Sequence, residues 1–221
     1  MVPPSDKLGD EMTIRRSAVV FALLAGIWAG SAHADDGKLG GMGANLFGNS
    51  FFHFGAPNLK GFPVGDVSLG RVRIDLQHTR LADVQKAYGG TIYEQGAGMG
   101  IARWLCYQGP SSSTWLLSNS LGGGEFIMMA ATQSGPASGS CDAAPAKFPE
   151  MAAGIPGIGA STAQLTAKFG AAPVGSHSDV SYRADRPAKD GLGTANDAQY
   201  IGYVVRGGTV FGYGVGETTA Q

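Results

Sequence analysis

The chain has 221 residues, with 16 basic and 17 acidic side chains, a formal net charge of -1 and two cysteines. That length suits one domain or two small ones. A near-neutral chain with no basic run lacks the attraction that drives nucleic-acid binding, which excludes nucleic acid as a partner.

The N-terminal segment reads as an export signal that starts at Met12. Arg15 and Arg16 form a positive n-region, residues 18–30 an apolar run, and Ala32-His33-Ala34 a small-x-small cleavage box. Residues 1–34 are therefore expected to be an upstream extension and signal peptide, removed between Ala34 and Asp35, which places the product in the periplasm or outside the cell. The apolar run is shorter than the roughly 20 residues a spanning helix needs. The first cysteine after the box is Cys106, too far away to carry a lipid. No stable membrane anchor is expected.

Residues 35–67 form a Gly/Phe-rich arm, with eight glycines and five phenylalanines between 35 and 66 and no helical or strand period. The expectation is an irregular N-terminal arm. Phe51, Phe52 and Phe54 are its candidate binding residues, because clustered aromatics mark contact sites.

From residue 68 the pattern becomes orderly. Residues 71–76 alternate with Val72, Ile74 and Leu76 on one face, which predicts a strand. Thr79 is the expected N-cap of a short helix with Leu81, Val84 and Tyr88 on one stripe and Gly89 at its end. Three strands are predicted over 101–107, 114–118 and 125–132, joined by Gln108-Gly109-Pro110-Ser111 and Leu121-Gly122-Gly123-Gly124. Along the first of these, Ala102, Trp104 and Cys106 share one face and Arg103, Leu105 and Tyr107 the other. With the cysteine face toward the core, Arg103 and Tyr107 look outward and are candidate binding residues.

After a Pro-, Ala- and Gly-rich connector over 136–157, the order recurs. Leu165, Phe169 and Gly170 match Val84, Tyr88 and Gly89 at a constant offset of 81 residues. Strands are predicted over 179–184, 199–206 and 209–215, the last two joined by Gly207-Gly208. The fold class is α+β, built from two tandem repeats of a helix plus a three-stranded antiparallel sheet, one over 68–135 and the other over 158–221.

The chemistry-bearing residues are few. Cys106 and Cys141, an even pair in an exported chain, are expected to form a disulfide. His53, His78 and His177 occupy unrelated places, and the densest local group, His177 with Asp179, is short of the three or four ligands a metal needs. Ser111-Ser112-Ser113 is turn material with no nucleophile elbow around it. Gly96-Ala97-Gly98-Met99-Gly100 has no lysine and opens no helix, so it is not a phosphate loop. No catalytic residue, cofactor or metal is assigned.

Gly159-Ala160-Ser161, Leu165, Phe169-Gly170 and Pro173 give a G-x-[ST]-x3-L-x3-F-G-x2-P pattern. It resembles the helix signature of the small outer-membrane assembly lipoproteins of the SmpA/OmlA type. The duplicated helix-on-sheet plan is similar to that of the secreted beta-lactamase inhibitory proteins. The resemblance implies a binding protein without catalysis, whose partner is another envelope or secreted protein. Two other readings stand beside it: a periplasmic hydrolase using His78 or His177, and a secreted structural protein that self-associates through the arm.

Overall fold

Glycine-bearing turns set where this chain reverses. At Gly207 and Gly208 φ is 57° and 79°, the paired positive values that a two-residue hairpin twisting with its strands requires. Gly123 and Gly124, at 62° and 72°, turn the longer loop from Asn119 to Met129, where the Gly124 N–H donates to the Asn119 carbonyl at 2.9 Å. Between such turns, alternating apolar residues form long strands.

The computed structural model describes residues 35–48, 56–176, 178–188 and 196–220. The expected signal segment lies outside the described residues, as do Phe51, Phe52, His53, Phe54 and His177. In chain order the elements are β1 (Asp35–Asp36), α1 (Gly41–Phe47), β2 (Val67–Leu69), β3 (Val72–Ile74), α2 (Leu81–Tyr88), β4 (Tyr93–Gln95), β5 (Ala102–Gln108), β6 (Ser112–Asn119) and β7 (Met129–Ser134). They continue with β8 (Asp142–Ala143), β9 (Met151–Ala152), α3 (Thr162–Phe169), β10 (Val174–Gly175), β11 (Asp179–Pro187), β12 (Asn196–Arg206) and β13 (Thr209–Ala220). The class is α+β, and the strand pairs are antiparallel except β1 with β4 and β5 with β8.

Ten strands form one sheet in the order β1-β4-β5-β6-β7-β13-β12-β11-β10, with β8 beside β5, while β3-β2-β9 form a small second sheet. Helix α2 precedes the run β4 to β7, and α3 precedes the run β10 to β13. The two runs meet at β7 and β13, paired from Gly212 with Gln133 to Gly216 with Met129. Each run has four strands where the sequence pattern showed three, because β4 and β10 are too short to display a period.

The two helices are tied to their sheets in the same manner. The Ile127 and Leu81 N–H groups donate to the Thr79 and Glu125 carbonyls at 2.8 and 2.9 Å. The Val210 and Thr162 N–H groups donate to the Ala160 and Gly208 carbonyls at 2.8 and 3.3 Å. Each helix start is thus pinned to the stretch that leads into the last strand of its own run, and first-turn amides that a free helix leaves without a partner are satisfied. The N-cap of α2 is Arg80, one residue after the expected Thr79. Thr79 is drawn away because its hydroxyl accepts from the Asp75 N–H at 2.9 Å. The Asp83 carboxylate accepts from the Arg80 N–H, as Gln164 does from Ser161 at the start of α3.

Both faces of the large sheet are covered. On one, Val84 of α2 and Leu165 of α3 pack with Leu105, Leu116, Ile201 and Val215. On the other, Met42 and Leu46 of α1 pack with Trp104, Trp115, Met129 and Ala131. Burying each of these large side chains contributes roughly 1.5–3 kcal/mol.

Helix α1 corrects the expectation of an irregular arm over its first residues. Its glycines permit contact: a Cβ on Gly43 would sit 2.7 Å from Cδ1 of Trp115, closer than any side chain tolerates. The period was invisible because the helix has only seven residues and its packing face, Met42, Gly43 and Leu46, is interrupted by a glycine. The connector is also partly regular, since β8 and β9 lie within it and join the two sheets.

Candidate binding surfaces

Double coverage of the sheet decides where the sequence-derived candidates fall. Cys106 faces the α1 side and is bonded to Cys141, with an S–S distance of 2.02 Å, so the expected disulfide is present. Trp104 lies on that face too, its indole N–H donating to the Ser140 carbonyl at 3.1 Å. Tyr107 points to the opposite face, and there the outward orientation expected for it is overturned. It is 1% exposed, packs on Phe148, and donates its hydroxyl to the Gly89 carbonyl at the end of α2 at 2.7 Å. Burial and the nearby Asp142 carboxylate push its phenol well above the usual range. Tyr107 is a core residue because α2 covers the face that a one-sided sheet would leave open. Arg103 shares that face but sits beyond the helix, where its Nε is 2.6 Å from Glu94 Oε2 and about a third of the side chain is exposed. Arg103 and Tyr107 therefore form no common surface.

The first cavity is an apolar groove of about 410 Å³ on the α1 side. Its floor is Met129, Tyr200 and Gly216, and Phe47 at the end of α1 forms one wall. The opposite rim comes from two turns, which present Met99 (80% exposed) and Leu121 (62% exposed). The Ser120 hydroxyl donates to the Met99 carbonyl at 3.1 Å, which locks the two turns together. Asn119 Oδ1 accepts from the Leu121 and Gly122 N–H groups, which fixes the second turn from within. Two large apolar side chains are thus held in water by a rigid frame beside an apolar floor. The alternation in β5 and β6 gave no sign of this groove, because its rim lies in turns that have no period.

The second cavity is polar, about 690 Å³, and lies where the ends of β11, β12 and β13 meet the connection from β3 to α2. Asp197 is 8% exposed; it accepts from Thr219 Oγ1 at 2.7 Å and from Arg186 Nε at 3.3 Å. Gln199, 1% exposed, is held by the Val64 backbone at both ends of its amide, and its Nε2 donates to Glu217 Oε1 at 2.6 Å. Burial raises the Glu217 carboxyl above the ordinary glutamate value, opposed by its bond from Gln199 and the charge of Arg186. Arg186 lies over the Phe62 ring at 4.0 Å from its centroid. His78 stands on the rim with 76% of its side chain exposed, and its Nδ1 is 3.0 Å from the Leu76 carbonyl and 3.7 Å from Asp75. Among the described residues no group of three or more His, Cys, Asp or Glu side chains is placed to hold a metal.

Among the described residues, no helix is long and apolar enough to cross a membrane. No family model, curated protein or solved structure matches this chain.

Proposed function

We propose that this chain is an exported, non-enzymatic protein-binding module of the bacterial cell envelope, cleaved after Ala34, that receives an apolar side chain of its partner in the groove between Phe47 and Leu121. The observation that carries this reading is the rigid exposure of Met99 and Leu121 beside the floor of Met129 and Tyr200. Large exposed apolar side chains around a concave apolar floor are the anatomy of an interaction hot spot. The tandem-repeat plan is part of the same proposal. Its support is the constant offset between α2 and α3 together with the matching pair of hydrogen bonds that pins each helix to the stretch leading into the last strand of its run.

The test is chemical crosslinking of the full chain in envelope material, read by mass spectrometry beside a Met99→Asp/Leu121→Asp double variant. One stoichiometric protein adduct that the double variant loses is the expected result. An adduct that survives the double variant removes the groove from the proposal, and the absence of any adduct removes the binding reading.

The hydrolase reading draws on one observation, the place of His78 on the rim of a cavity that also holds Asp75 and Glu217. Against it, His78 is mostly in water, and its Nδ1 lies against a backbone carbonyl rather than a buried carboxylate orienting it as a base. Assay of envelope esters, peptides and glycans with wild type and His78→Ala decides it: turnover lost in the variant would establish the hydrolase.

A further inference from the structure

We propose that the polar cavity between the β3–α2 connection and the ends of β11, β12 and β13 is a binding site for a neutral polyhydroxylated ligand, a saccharide of one to two rings. A volume of about 690 Å³ is of that size. Three further observations support the assignment.

The polar groups are held from beneath. Gln199 is anchored to the Val64 backbone by both amide ends and positions Glu217, while Asp197 is fixed by Thr219 and Arg186. A site whose supporting shell is locked in this way loses little entropy when it binds.

Gln77 reaches the same cavity from a backbone with φ of 69°. A side chain larger than asparagine is uncommon there, and such strain collects at functional sites. Its Oε1 lies 3.1 Å from Thr219 Oγ1, and its amide also donates to the Glu217 carboxylate, so the side chain is held between two groups of the cavity wall.

Both arginines are paired. Arg186 lies against Asp197 and Arg73 against Asp66, and the Asp75 and Glu217 carboxylates line the same cavity. A phosphate entering here meets carboxylates, and an amine meets arginines. A sugar hydroxyl both donates and accepts, and adjacent hydroxyls match the planar carboxyl, amide and guanidinium groups present.

The test is titration of the full chain, followed by saturation-transfer NMR, with chitotetraose, cellotetraose and maltotetraose, and with phosphate and spermidine as ionic probes. Cosedimentation with purified peptidoglycan sacculi distinguishes a polymer source from a free oligosaccharide. The expected result is saturable binding of at least one neutral saccharide, weakened about tenfold in Glu217→Gln and in Gln77→Gly. Gln77→Gly removes the amide while relieving the backbone, so it keeps the fold and isolates the side chain. Three results would overturn the proposal: no saturable binding of any saccharide up to millimolar concentration, saccharide binding unchanged in both variants, or cavity-dependent binding of phosphate or spermidine alone.

Discussion

Gly43 and Glu217 show how single residues carry this structure. A side chain at position 43 would drive into the Trp115 ring, so Gly43→Val is expected to lift α1 from the sheet. Overpacking of this kind costs about 1–3 kcal/mol, which a urea melt followed by tryptophan fluorescence would register as a lower midpoint. Ala44→Val, next to it and only partly buried, should leave the midpoint nearly unchanged. Glu217 acts through protons. Its folded carboxyl titrates above the usual value of 4.5, so across that window the folded chain holds more proton than the unfolded one. Stability from this group is therefore full below the usual value and declines as pH rises through the raised one. Glu217→Gln is expected to flatten the fall in melting temperature as pH rises above the usual glutamate value. An unchanged slope would show that the cavity hydrates this carboxyl fully. Residue-scale legibility was uneven for a physical reason. The disulfide followed from cysteine number and the expected compartment, whereas the burial of Tyr107 depended on whether a second layer covered its face, which alternation along one strand does not encode.

At the scale of elements, caps and turns set most of the boundaries. Ser161 both accepts from the Gln164 N–H and receives the Gln164 side chain on its own N–H, so Ser161→Ala should destabilise the fold by about 1 kcal/mol. Gly208 holds a φ of 79°, and Gly208→Val should cost about 1–2 kcal/mol by forcing a β-branched residue into the left-handed region. Both are read by thermal melts followed by circular dichroism. The 81-residue offset between the helices and the Gly207-Gly208 hairpin were visible in the sequence because glycine punctuates both. Short strands β1, β4, β8, β9 and β10 were not, since two or three residues have no period. Nor was the shift of the α2 cap from Thr79 to Arg80, where the threonine hydroxyl is engaged by Asp75. The apolar groove escaped for a related reason: Met99 and Leu121 lie in glycine-rich turns, where a lone apolar residue reads as an exposed exception rather than as a rim.

At the scale of the whole molecule, the pairing of β7 with β13 joins the two helix-and-strand runs into one sheet. The core on the α2 and α3 side is continuous across that seam. Residues 35–220 should therefore unfold in one cooperative transition, and calorimetry showing two resolved transitions would mean that the runs are independent. The disulfide closes a loop with a sequence separation of 35, worth about 4 kcal/mol by the chain-entropy argument. The Cys106→Ser/Cys141→Ser variant should melt correspondingly earlier while keeping the same strand content. The binding proposal belongs to this scale as well, because the groove is assembled from α1, both runs and two turns far apart in sequence. It is tested most directly by placing a photo-crosslinking amino acid at Leu121 in living cells, with a second at Lys168 on α3 as a control on the other side of the sheet. One discrete adduct from Leu121, absent from Lys168, is the result expected of a groove that receives a partner. No adduct at Leu121, or the same adducts from both positions, would contradict it.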